Sequence, residues 1–108
     1  MSVQSWPPFA TIWNRICALQ GQPFRTKRGL PFTYKVGSEN TVWVYRGGRR
    51  INQSLIMSNF SQVYSMMQGG PISGPGLINQ LAIARGESQV RGTSYVWAIL
   101  YDPRVLPS

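Results

Sequence analysis

Residues 9–20, "FATIWNRICALQ", place Phe9, Ile12, Trp13, Ile16 and Cys17 on one stripe of a helix, with polar residues between them. Pro7 and Pro8 stand at its start, where a missing N–H costs nothing. Gly21 follows its end, where a left-handed cap is wanted. Arg15 lies off the stripe. Residues 30–57 switch to the two-residue period of strands. "FTYKV" alternates Phe32, Tyr34 and Val36 with Thr33 and Lys35, and "TVWVYR" is β-branched and aromatic almost throughout. Gly47-Gly48 then separates two strand-like runs and predicts a two-residue hairpin turn, because both central positions need positive φ. That turn sets Arg46 opposite Arg49, Tyr45 opposite Arg50 and Val44 opposite Ile51. A short strand at 23–26, "PFRT", precedes the meander.

Helical spacing returns at Phe60, Val63, Tyr64 and Met67, with Ser58 or Asn59 as the cap and an end near Gln68. "GGPISGPG", 69–76, is a loop, and "LINQLAIA", 77–84, a short helix. Residues 85–93 are polar and read as an exposed connection. "SYVWAILY", 94–101, is apolar on every side and therefore buried. Its β-branched and aromatic residues fit a strand, while Thr93-Ser94 before it fits a helix cap; periodicity does not separate the two, and helix is the favoured reading. Pro103 stops it. The pattern predicts one α+β domain over residues 1–108, a small antiparallel meander of three to four strands packed with three to four helices.

The loop after Val36 decides which side chains share a face. A four-residue loop, Gly37 to Asn40, puts Trp43 and Tyr45 inward with Phe32 and Tyr34. A three-residue loop, Ser38 to Asn40, shifts the parity, so that Val42, Val44 and Ile51 join Phe32, Tyr34 and Val36 inside. Thr33, Lys35, Trp43, Tyr45 and Arg50 then share the outer face, and Arg25 and Lys27 join them if the 23–26 strand pairs with Phe24 inward. The second register is preferred, because it sorts the aliphatic residues inward and lets Asn40 take a left-handed position.

Charge gives that outer face a meaning. Eleven Lys and Arg against three Asp and Glu leave +8, and nine of the eleven are arginine. Arg25, Lys27, Arg28, Lys35, Arg46, Arg49 and Arg50 fall within residues 25–50, where Glu39 is the one acid. Such a field attracts polyanions, and the guanidinium fork suits phosphate. Aromatic rings set among those cations also suit stacking on unpaired bases. The competing reading is that helices or a partner cover Trp43 and Tyr45.

Several chemistries are excluded. With no histidine, imidazole bases and His metal sites are absent. One cysteine and three scattered acids build no metal centre. Cys17 forms no internal disulfide and reads as an inert core thiol, which fits a reducing cytoplasm. "GGPISGPGL" lacks the lysine of a phosphate loop. No apolar run reaches the length of a membrane span, and "MSVQSWPPF" has no signal-peptide character. Hydrophobic residues, at 43%, are too many for a disordered tail. No cofactor and no catalytic residue is expected. A histidine-free, toxin-like ribonuclease is the surviving enzymatic route, since Arg, Lys and Tyr can stabilise phosphate charge, although the order of elements differs from that of such toxins.

"GQPFRTKRGLPFTYKV", "GRRINQS" and "RGTSYVWAILYDPRV" resemble patterns in small bacterial proteins carried by mobile integron gene cassettes. The resemblance spans residues 20–104 and brings no active site with it. It implies a bacterial accessory protein acting alone or as a small oligomer.

The leading expectation is a non-enzymatic module that binds the phosphate backbone of DNA or RNA through Lys27, Arg28, Arg46, Arg49 and Arg50, with Lys35 and Tyr45 beside them. The alternative is an interaction module that forms a homodimer or docks an acidic protein, with Trp43, Met66 and Met67 at the interface.

Overall fold

In the computed structural model, which describes residues 6–107 apart from the side chain of Gln53, four strands pair in chain order as one antiparallel sheet. They are β1 (Phe24–Arg25), β2 (Pro31–Val36), β3 (Thr41–Arg46) and β4 (Arg49–Ile56). Four helices accompany them: α1 (Phe9–Ala18), α2 (Met57–Gln68), α3 (Ile78–Ala84) and α4 (Thr93–Leu100). The fold is α+β. Residues 1–5, on which the signal-peptide expectation partly falls, lie outside the described residues.

The β2–β3 register is the one that a three-residue loop dictates. Val36 pairs with Val42, Tyr34 with Val44 and Lys35 with Trp43, and the Gly37 N–H donates to the Thr41 carbonyl. Glu39 and Asn40 both take positive φ in that loop. Asn40 is where a left-handed residue is expected; Glu39 adopts the same region without glycine's freedom. At the other end Gly47 and Gly48 have φ of 59° and 78°, and Arg46 faces Arg49 across the two-residue turn.

One pairing differs from expectation. Tyr45 faces Arg50, but Trp43 faces Ser54. Ile51, Asn52 and Gln53 therefore stand against the single residue Val44, so β4 bulges and the Val44–Ile51 pair does not form. The insertion preserves parity, and Ile51 still packs against the core.

All four helices contribute to one core on one side of the sheet. Phe24, Phe32, Tyr34, Val42, Val44 and Leu55 point inward and meet Ile12 and Ile16 of α1, Phe60 and Val63 of α2, Ile78 of α3 and Val96 and Ile99 of α4. The Tyr34 hydroxyl donates to the Ile16 carbonyl at 2.6 Å, and the Gly21 N–H donates to the Tyr34 carbonyl at 2.8 Å. Sheet and first helix are thus tied through one residue. Burial pushes the Tyr34 phenol up from its ordinary value. Cys17 is partly buried against the core, and desolvation pushes its thiol up as well, which makes it a poor nucleophile.

Two helix starts depart from the predicted caps. Strand β4 runs into α2 with no loop, and Asn59 serves as the third helical residue, its Oδ1 accepting the Ile56 N–H at 3.0 Å. Residues 94–100 are helical, but Gly92 is the N-cap, in a left-handed conformation, and no side chain caps this helix. Asn79 pins the polar connection between α3 and α4 by bonding both backbone groups of Val90, at 2.7 and 3.2 Å. No helix of the described residues is long and apolar enough to cross a membrane.

Candidate nucleic-acid interface

The outer face of the sheet carries Arg25, Thr33, Lys35, Thr41, Trp43, Tyr45, Arg50 and Ser54. Strand alternation puts them there, opposite the core residues. None of them is buried. Because the helices pack on the other side, no described element of the chain covers this face.

Four of these side chains form a crossed arrangement. Lys35 pairs directly with Trp43, yet its ammonium lies over the Tyr45 ring, 5.8 Å from the centroid. Arg50 pairs directly with Tyr45, yet its guanidinium lies over the Trp43 ring at 4.5 Å. Each cation bypasses its opposite residue for the diagonal ring, which long side chains can reach across a sheet. Each such pair contributes about 0.5–1 kcal/mol at an exposed site. The rings therefore hold two cations flat against the sheet. The ring faces are occupied by the protein's own charges, an arrangement that favours phosphate contact over base stacking.

The Gly47-Gly48 turn and the β1–β2 turn sit at the same end of the sheet, since β2 and β3 run between them and the Ser38–Asn40 loop. Arg28, Arg46 and Arg49 are exposed at this end. A shallow cleft of about 560 Å³ opens there between Pro31 and the hairpin residues Arg46, Gly47, Arg49, Arg50 and Ile51. Three arginines contribute to its wall. Glu39 lies at the opposite end, about 17 Å away along β3 at ordinary strand rise. The other two acids are engaged elsewhere: Glu87 pairs with Arg85 at 3.1 Å, and Asp102 with Arg104 at 2.9 Å. Among the described residues, none of the seven cations between 25 and 50 makes an ion pair.

The structure divides the residues expected to act together. Lys35, Tyr45 and Arg50 share the outer face, whereas strand alternation turns Arg46 and Arg49 to the other face, at the exposed hairpin tip beyond the core. Arg25, which strand pairing adds, bends back to donate to the Gly29 carbonyl at 3.0 Å. Lys27 does not join them. Its ammonium donates to the Ser73 carbonyl at 2.5 Å and lies 5.8 Å from the Trp97 ring centroid, so it braces the Gly/Pro loop. Met66 and Met67, expected at an interface, are each only 3% exposed and belong to the core. Helix α2 packs against α1, α4 and β4, so more of its circumference is buried than its single stripe implies. Of the three interface candidates, only Trp43 stands on an uncovered surface. Comparisons of the chain with protein families, with curated proteins and with solved structures find no match.

Proposed function

We propose that this protein is a non-enzymatic module that binds the phosphate backbone of DNA or RNA on the outer face of its sheet. The observation that carries this reading is the crossed pairing of Lys35 and Arg50 with Tyr45 and Trp43, with Arg46 and Arg49 exposed at the adjoining hairpin tip, on the other side of the ribbon. Aromatic rings that hold cations in place lower the entropy lost when those cations engage phosphates. Arg46 and Arg49, placed directly opposite one another, repel in the free protein. A bound phosphate relieves that repulsion, so binding gains where the free hairpin is penalised.

Counterion release makes the test quantitative. For each phosphate no longer neutralised, the slope of log K against log[salt] should shrink by about 0.9 on duplex DNA. Reversing the charge at both Arg49 and Arg50 should weaken binding of a mixed-sequence oligonucleotide and flatten that slope. Heparin retention should fall in parallel. A slope unchanged by the double reversal removes these residues from the interface.

A second reading is favoured by Ile56, which ends β4 at 47% exposure opposite Thr41 on the uncovered side. An apolar residue next to Trp43 suits a protein partner, a second copy of this chain or an acidic domain. Sedimentation separates the two readings: a strict monomer that binds DNA leaves the phosphate reading standing alone.

A further inference from the structure

A cleft of about 650 Å³ lies away from the basic sheet, between the segment before α1, the C-terminal segment and the Gly69-Gly70 turn. Its volume is in the range of small-molecule sites. Trp6, Pro7, Met67, Tyr101 and Leu106 give it apolar and aromatic walls, and Arg15 is the one charged side chain among the described residues that line it. No acid lines it.

The walls are held from behind. The Tyr64 hydroxyl donates to the Pro7 carbonyl, and the Trp6 ring meets Tyr64 edge-on at 5.8 Å. Tyr101 stacks on Trp97 at 4.8 Å, and its hydroxyl accepts the Ile72 N–H at 2.9 Å. Arg15 is half-buried and donates through Nη1 to the Val105 carbonyl at 2.9 Å, its one hydrogen bond among the described residues. The nearby carboxylate of Asp102 gives both oxygens to Arg104, each at 2.9 Å. Arg15 is therefore a positioned cation with free donors at the side of an apolar cleft.

We infer that this cleft binds a small organic carboxylate with an apolar or aromatic body. The carboxylate meets Arg15, whose planar fork takes two oxygens at once. The body fills the space between Trp6, Met67 and Tyr101. A partly desolvated cation without an acid partner favours an anionic ligand, and apolar walls disfavour a strongly hydrated inorganic one. This site shares no residue with the sheet face, so it stands apart from the nucleic-acid reading.

The test is an NMR titration of the full chain, labelled with ¹⁵N, with 3-phenylpropionate and with its uncharged analogue 3-phenylpropanamide. The expected result is saturable movement of the Gly69, Gly70, Tyr101 and Leu106 amides by the acid, with the amide at least tenfold weaker. Arg15→Gln should erase the preference for the acid. Trp6→Ala should weaken both ligands alike, which covers the case in which removing the Arg15–Val105 hydrogen bond disturbs folding. Equal binding of acid and amide by the unaltered protein overturns the assignment. So does the absence of saturable movement at the cleft, or movement confined to residues 46–50.

Discussion

The guanidinium of Arg50 lies over the indole of Trp43, two rows along the sheet from its own strand partner Tyr45. Charge and position can be separated at this pair. Arg50→Gln removes one cation from the face proposed to bind phosphate, so affinity for an oligonucleotide should fall and the salt slope should flatten by about 0.9. Trp43→Leu keeps the charge and releases it from the ring. Affinity should then fall only about two- to fivefold, in keeping with a cation–π interaction of about 0.5–1 kcal/mol, with the slope unchanged. Equal slopes for both variants would show that Arg50 does not touch phosphate.

Gly37 is the neighbour that lets this indole lie where it does. A Cβ on Gly37 would stand 3.1 Å from Trp43 Nε1 and 3.3 Å from Cδ1. Gly37→Ala should push the ring off its seat and destabilise the protein by about 1 kcal/mol, the low end for overpacking. The near-ultraviolet circular dichroism of tryptophan should change while the far-ultraviolet spectrum does not.

Gly48 isolates a different effect. Nothing lies within 4 Å of where its Cβ would stand, yet its φ is 78°. Gly48→Ala should therefore cost about 1–2 kcal/mol through the left-handed backbone alone. Urea unfolding should show a lower midpoint with an unchanged m value. A neutral substitution would mean that the turn has some other geometry.

Part of each pH limb of stability should trace to Tyr34 and Asp102. Burial pushes the Tyr34 phenol above its ordinary 10.0, so the folded chain keeps a proton that the unfolded chain releases. This stabilisation is full below about pH 10 and drains as pH rises further. Hydrogen bonds from Arg104 hold the Asp102 carboxyl below its ordinary 3.8. Its contribution is full above about pH 4 and disappears as pH falls further. Urea midpoints measured from pH 2 to 11 should lose part of the alkaline limb in Tyr34→Phe and part of the acid limb in Asp102→Asn. Exchanged effects, or none, would show that other groups set the limbs.

What could be read along the chain was local. The stripe Ile12, Trp13 and Ile16 announces α1, and Gly47-Gly48 announces its turn, because each rests on neighbours in sequence. The face of Trp43 followed from the choice between loop lengths, which the aliphatic residues and Asn40 decided. The bulge at Ile51–Gln53 carries no glycine or proline to mark it, and it emerges from Leu55 and Val44 both needing the core. Lys27 is committed by Ser73, 46 positions away, and Met66 by helices on more than one side of α2. Neither constraint leaves a trace in the local pattern. The cleft at Arg15 is assembled from three separated segments and shows no signal in any one of them.

Every neighbour in the sheet is also a neighbour in the chain, and this orders the folding reaction. The strand pairs close across residues 26–30, 38–40 and 47–48, short loops with little closure entropy to overcome. The distant ties come from the C-terminal segment, where Arg104 donates to the Pro23 carbonyl at 2.8 Å and Val105 accepts from Arg15. These hydrogen bonds span 81 and 90 positions, so they should form after the meander. Removing them should leave the folding rate almost unchanged and speed unfolding. In stopped-flow kinetics, Arg104→Ala should shift only the unfolding arm, which makes the end of the chain the latch that sets how long the folded state lasts.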